Sequence, residues 1–366
     1  MTAAHLQEAL LAWFAAHSRD LPWRRTYDPY HVWISEIMLQ QTRMERVIGY
    51  FRRWLERFPD LPALAAADEE EVLKCWEGLG YYSRARNLHR AAGLVMRDHG
   101  GTIPADHAAL LTLPGIGRYT AGAIMSLAFN REYPLVDANV ERLFARLYDI
   151  DSPVREAVNH RFVWQRALEL IPPGRARLFN QALMELGALV CTPKNPACSA
   201  CPLAGHCKAL RGNTVTRRPV AKEKQPVVRI EMVTGLLLHE GRIFIQKRPP
   251  AGVWANLWEF PGGQLEAGET PEEALIREYR EETEWEIHSL CRLRLVRHSY
   301  TRYRVTLHGF RCELAPGSGP PVLHAAQEYR WVAPAELDCF AFPTGHRQLI
   351  DTELPRLLRR GAISRP

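Results

Sequence analysis

Leu113-Pro114-Gly115-Ile116-Gly117-Arg118 is the stretch on which the fold of this 366-residue chain turns. Its two glycines, one residue apart, let another backbone come close. The turn then opens a helix whose first N–H groups have no intrahelical acceptor, and such a turn clamps a phosphate. The same six residues also suit a plain helix-turn-helix corner, so the flanks decide. From residue 6 to about 190 apolar residues recur at helical spacing: Val140, Leu143, Phe144 and Leu147 stand at i, i+3, i+4 and i+7. Strand alternation is missing there, and Pro, Gly and Asp punctuation at 59–62, 100–104 and 171–174 separates the helices. The turn therefore lies inside an all-α domain.

The texture changes after Cys207. Between 208 and 229 stand Lys208, Arg211, Arg217, Arg218, Lys222, Lys224 and Arg229 against the single acid Glu223, an excess equal to the whole chain's formal charge of +6. The expectation is a basic linker held open by like charges, which also offers contacts to phosphates and a tether for repair partners. Strands are expected at 231–238, 242–247, 304–312 and 328–332, and helices at 271–283 and 345–359, which makes the second domain α+β. The divisions are thus 1–207, 208–229 and 230–366.

A hydrophobic fraction of 46% with 24% charged residues excludes a disordered or fibrous chain. No apolar run approaches the roughly eighteen residues a membrane span requires, and the first seventeen residues show no export signal. The reading is a cytoplasmic protein, in the bacterial cytoplasm or nucleoid, with no membrane partner. Of eight cysteines, Cys75, Cys291, Cys312 and Cys339 are scattered, whereas Cys191, Cys198, Cys201 and Cys207 crowd into C-x6-C-x2-C-x5-C. Four clustered thiolates in an intracellular chain suit an iron–sulfur cluster or zinc.

Two carboxylates stand out. Glu36 lies in Trp33-Ile34-Ser35-Glu36-Ile37-Met38-Leu39-Gln40-Gln41-Thr42, where apolar neighbours nearly surround it, and a carboxyl in such company keeps its proton as a general acid must. Asp137, in Val136-Asp137-Ala138-Asn139-Val140, opens the helix whose stripe was given above; its charge is favoured by the macrodipole, for capping or for catalysis.

These motifs together resemble the MutY-type adenine DNA glycosylases. The turn is similar to their helix-hairpin-helix, the cysteine spacing to their [4Fe-4S] loop, and ISEIMLQQT to the segment whose glutamate protonates N7 of adenine. The resemblance runs over nearly the whole chain and implies a multidomain protein: an all-α helix-hairpin-helix glycosylase domain with an iron–sulfur loop (191–207), followed by an α+β Nudix-like domain. It implies that Glu36 is the acid, that Asp137 stabilises the sugar cation, and that Asn139 and Tyr119 support them. Gln40, Gln41, Thr42, Tyr81 and Tyr82 would enter the duplex around the oxidised guanine, an aromatic after a glycine turn such as Tyr82 suiting the core equally, and Leu113, Gly115, Gly117 and Arg118 would hold the backbone. Bifunctional relatives carry a lysine where Tyr119 stands, so the resemblance implies a monofunctional enzyme, acting as a monomer on double-stranded DNA with adenine opposite 8-oxoguanine or guanine.

Gly263-x5-Glu269-x7-Arg277-Glu278-Tyr279-Arg280-Glu281-Glu282 resembles the Nudix box, whose carboxylates bind Mg2+, but Glu284 replaces the glycine of that pattern. Recognition of 8-oxoguanine is the role the resemblance implies, with Mg2+-dependent hydrolysis as the alternative. In His298-Ser299-Tyr300-Thr301-Arg302, Thr301 would be the hydroxyl and Tyr300 the aromatic that meet the oxidised base; a plain hairpin is the other reading. Three further readings are a glycosylase–lyase for oxidised pyrimidines, a nucleotide pyrophosphatase on a DNA anchor, and a non-catalytic damage binder. Tyr119 speaks against the first, Glu284 and the complete Glu36–Asp137 pair against the second, and the pair itself against the third.

Overall fold

The computed structural model describes residues 3–221, 226–300 and 302–359. The chain divides into two compact units, 1–66 with 87–223 and 67–86 with 224–366. The N-terminal half carries α1 (Ala3–His17), α2 (Pro29–Leu39), α3 (Met44–Arg57), α4 (Leu61–Ala66), α5 (Glu69–Trp76), α6 (Ser83–Asp98), α7 (His107–Leu111), α8 (Arg118–Ala123), α9 (Ala138–Leu147), α10 (Ala157–Glu169), α11 (Ala176–Leu189) and α12 (Lys208–Arg211). Its described residues hold no strand, as the periodicity requires. No helix among the described residues is long and apolar enough to cross a membrane.

The stripe on α9 is core: Val140, Leu143, Phe144 and Leu147 are buried with Phe179, Leu183 and Leu186 of α11 and Leu6, Leu10 and Phe14 of α1. α2 begins where Asp28 accepts from the N–H groups of Tyr30 and His31, with Pro29 preset for the first turn. It buries Val32 to Met38 without a break, so its one acid, Glu36, is enclosed with them. The hairpin is α7, the turn and α8, which runs on through a wider π-helical turn at Ile124–Ala128. Gly115 has φ +79°, and a Cβ there would stand 2.7 Å from Cβ of Asn87, so the turn admits no larger residue. Leu113 is a correction: at 5% exposure its side chain is core, and the exposed residues of the turn are Gly115, Gly117 and Arg118.

The linker is corrected in its first half. Residues 208–211 are α12, Arg218 pairs with Asp149 at 2.8 Å, and the Thr214 hydroxyl donates to the same carboxylate at 2.6 Å. Charge-assisted bonds to α9 and its end defeat like-charge repulsion there. Residues 222–225 lie outside the described residues.

In the second unit β1 (Val228–His239), β2 (Arg242–Lys247), β3 (Trp258–Glu259), β4 (Ile287–Arg292), β5 (Val296–Tyr300), β6 (Tyr303–Leu314) and β7 (Glu328–Val332) form one mixed sheet, with α13 (Pro271–Thr283) and α14 (Thr344–Arg359). β1 and β6 run parallel from Val228↔Tyr303 to Leu238↔Glu313. Alternation sends Phe244 to one face with Leu275 and Tyr279 of α13, and Ile243 and Ile245 to the other with Ile350 and Leu357 of α14. The segment 67–86 belongs to this unit: Glu77 accepts from Phe342 N and from Arg347 Nε, each at 2.9 Å. Tyr82, expected at DNA, is 3% exposed and its hydroxyl donates to the Phe342 carbonyl at 3.0 Å. It is a core residue.

Candidate active site

A cavity of about 770 Å³ opens in the first unit, within the range of small-ligand sites. Glu36, Tyr119, Asp137 and Asn139 all line it, brought from α2, α8 and α9. Glu36 is 3% exposed, and its Oε2 accepts from the Tyr119 hydroxyl at 2.7 Å. Burial pushes its carboxyl up to about 7; the Tyr119 hydrogen bond pulls it down, the Asp137 charge pushes it up and Arg24 pulls it down. Burial, with the charges of Glu36 and Asp137, drives the Tyr119 phenol well above its ordinary value, so it stays a donor. The apolar company around Glu36 thus has the effect read from the sequence.

Asp137 is both cap and cavity wall. Its Oδ1 accepts from Val140 N at 2.8 Å, closing the first turn of α9, and its Oδ2 accepts from Asn139 Nδ2 at 2.7 Å. Burial raises its carboxyl against those bonds. Its donors favour the charged form that burial opposes. Asn139 is held in turn by Arg142, whose guanidinium reaches Asn139 Oδ1 at 2.9 Å, the Gly187 carbonyl at 2.6 Å and the Cys191 carbonyl at 2.7 Å. A Cβ on Gly187 would lie 2.8 Å from Cβ of Asn139, so only glycine lets α11 pass this close.

The sequence reading missed another wall. Glu185 of α11, 1% exposed, takes Arg19 at 2.8 Å and Arg24 at 2.9 Å. Burial pushes its carboxyl up, but bonds and charges from both arginines outweigh that and take it down to about 2. All three line the cavity, with Tyr27, Gln181 and Met184. The partners are some 160 positions apart in sequence; the basic–aromatic run 19–25 was the available signal.

Gln40, Gln41 and Thr42 sit at the C-terminal end of α2 and line the same cavity. Gln41 is exposed in the left-handed region at φ 57°, and Gln40 Nε2 donates to Thr120 Oγ1 at 3.4 Å. Tyr81 also has positive φ, 48°, with Arg84 over its ring; it lies in the other unit. Arg118 is exposed and stacks its guanidinium 4.0 Å over the Trp164 ring.

The four clustered cysteines line one small cavity walled by Leu143, Leu147, Leu203, Leu210 and Val215. Burial pushes the Cys201 thiol up to about 11, with the charges of Cys191, Cys207 and Cys198 adding to it, and burial raises Cys207 likewise. Thiolates packed together in apolar walls require positive charge among them, and the soft four-sulfur donor set fits iron.

The Nudix-like box is arranged differently. Arg277 takes Glu269 at 2.9 Å and Glu278 and Glu281 at 3.0 Å each, while Glu282 accepts from Gln246 Nε2 at 3.0 Å and Gly262 N at 3.1 Å. Burial, with the Glu259 charge, pushes Glu282 up to about 8. Glu284 ends α13 in the left-handed region at φ 57°, where the pattern has glycine. Among the described residues no three carboxylates of the box converge as ligands of one metal ion do; Glu269, Glu278 and Glu281 gather on Arg277 instead. Thr301 lies outside the described residues, and of Tyr300 only the backbone at the end of β5 is described.

Three family models match the chain: an HhH-GPD superfamily base excision DNA repair protein over 34–166, the iron–sulfur binding domain of endonuclease III over 191–207, and a NUDIX domain over 233–352. Cys191 to Cys207 are therefore an iron–sulfur site. A thermostable thymine-DNA glycosylase shares the fold at TM-score 0.53 and 31% identity, over 57% of this chain and 97% of that one. The adenine DNA glycosylase of Homo sapiens is 33% identical over 93% of this chain and 72% of its own length. That of Buchnera aphidicola subsp. Baizongia pistaciae is 36% identical over 71% of this chain and 74% of its own. Alike over most of both chains and matched motif by motif, this protein belongs to the adenine DNA glycosylase family.

Proposed function

We propose that the protein hydrolyses the N-glycosidic bond of adenine in duplex DNA where adenine faces 8-oxoguanine or guanine, and that it leaves an abasic site without cutting the strand. The observation that carries this is the pairing in one cavity of a carboxyl held near neutral pH, Glu36, with a second, hydrogen-bonded carboxylate, Asp137. A base must leave the stack to enter such a cavity. Glu36 gives its proton to N7 of the base, the C1′–N9 bond breaks with its electron pair going to the base, and water adds to C1′, its released proton returning to the Glu36 carboxylate. Asp137 opposes the positive charge that develops on the sugar. Tyr119 offers a phenol where a lyase needs an amine, so no Schiff base with the sugar forms.

In this reading the exposed glycines of the hairpin and Arg118 take the backbone, Gln41, Thr42 and Tyr81 fill the gap the base leaves and enter the duplex around the oxidised guanine, and the iron–sulfur site holds a [4Fe-4S] cluster. The second unit recognises 8-oxoguanine through the segment containing Tyr300 and Thr301. Recognition is favoured over Mg2+-dependent hydrolysis because a metal ion would have to displace Arg277 from Glu278 and Glu281. The protein acts as a monomer. The test is incubation with duplexes carrying adenine opposite 8-oxoguanine, adenine opposite guanine, and an oxidised pyrimidine, with and without alkali. Alkali-dependent cleavage of the adenine strand, strongest opposite 8-oxoguanine, is the expected result; alkali-independent cleavage at the pyrimidine would overturn it.

A further inference from the structure

The last turn of α9 carries Arg146, 3% exposed, whose guanidinium spreads over four acceptors: Cys191 Sγ at 3.4 Å, the Thr192 carbonyl at 2.7 Å, the Pro193 carbonyl at 3.3 Å, and the Arg218 carbonyl at 3.0 Å. The first three belong to the start of the iron–sulfur loop, the fourth to the root of the interdomain segment. The loop's last ligand meets the same residue, since the Cys207 thiol lies 3.4 Å from the Arg146 carbonyl. Three residues further on, Asp149 takes Thr214 at 2.6 Å and Arg218 Nε at 2.8 Å. A buried guanidinium needs its acceptors, and most of those available to Arg146 exist only while 191–193 is folded.

We infer that Arg146 is a positioning residue that makes the fastening of the segment 212–218 to α9 depend on a folded, loaded iron–sulfur loop. When the loop opens, the guanidinium loses three acceptors and turns to water, and the bond to Arg218 goes with it. Asp149 then holds the root alone. With one of its two fastenings gone, the stretch between α12 and Arg218 opens more often, and in the open state the tether of the second unit is longer, which lowers the effective concentration at which that unit is presented. The inference rests on the iron–sulfur site and not on the choice of substrate.

The test is amide hydrogen exchange on the full chain, loaded and after removal of the cluster by chelation, with visible absorbance reporting occupancy. Residues 212–218 should exchange at least about tenfold faster in the stripped protein, while α2 and α10 stay protected. Arg146→Gln in loaded protein should expose the same segment. If that variant does not load, Arg146→Lys keeps the charge but loses the fork that reaches Arg218, and should do the same. Asp149→Asn should expose 212–218 with absorbance unchanged. Equal exchange in loaded and stripped protein would overturn the inference, as would protection that survives in a loaded Arg146 variant. Loss of protection in α2 and α10 together with 212–218 would overturn it too, since the loop would then hold the whole unit and not its exit.

Discussion

Both units bury carboxyl groups and raise their affinity for protons, yet the two clusters are built for different ends. Glu36 faces a cavity of about 770 Å³ and shares it with Asp137. Glu282, pushed up further still, is closed in by Gln246 and Gly262, and its neighbours Glu278 and Glu281 are occupied by Arg277. A raised carboxyl is therefore not a mark of catalysis in itself. It becomes one where a substrate can reach the proton.

The widest separation between the two clusters should come from isosteric amides. Glu36→Gln is expected to reduce single-turnover excision by roughly 10³-fold or more with duplex binding retained, and Glu282→Gln to leave excision unchanged; similar losses from both would break the contrast. Next come the arginine-held carboxylates, Glu185 in the cavity wall and Glu259, bound to Arg248 at 2.7 Å. Glu185→Gln strands two guanidinium groups and should cost about 3–5 kcal/mol in denaturant unfolding. Its carboxyl is held at about 2 against an ordinary 4.5, so its stabilisation is full above 4.5 and is lost as pH falls toward 2.

A third test uses pH. Glu36 is raised to about 7 and, in the proposed mechanism, acts protonated, so excision should fall about tenfold per pH unit above that value. The Tyr119 hydrogen bond lowers the Glu36 value, so Tyr119→Phe should move that falling limb to higher pH; a limb that stays put would mean another group sets it. The smallest effect is at the other cluster. Glu284→Gly relieves a left-handed residue at the end of α13 and should add about 0.5–1 kcal/mol to stability, read from thermal unfolding. Arg277 remains in place, so nucleotide hydrolysis should not appear.

What the sequence revealed follows from the range of the physics involved. The burial of Glu36 was legible because the residues that bury it are its chain neighbours, and the α13 and β2 boundaries because cap and turn residues mark them. The Arg19–Arg24–Glu185 wall was not, since its partners meet only through the packing of α11. β4 escaped notice because it is mostly exposed and bulges between His288 and Cys291, which erases alternation. Leu113 shows the opposite error, and Tyr82 falls on the core side of its two readings. Each sits in a segment that resembles a DNA contact, yet the surface belongs to its neighbours, and an apolar or aromatic side chain beside a turn goes inward when a core is there to receive it.

The double engagement of Asp137 has a consequence for how the protein tolerates change. One carboxylate closes the first turn of α9 and lines the cavity in which the proposed reaction takes place. On the proposed mechanism, substitution at 137 should therefore cost both the stability of α9 and excision, so that folding and repair each select against it. Glu36 is joined to the fold through a phenol that survives its replacement. Lineages that drift out of activity should lose the acid first and keep the cap, leaving well-folded descendants that still grip the duplex and shield the lesion they no longer repair.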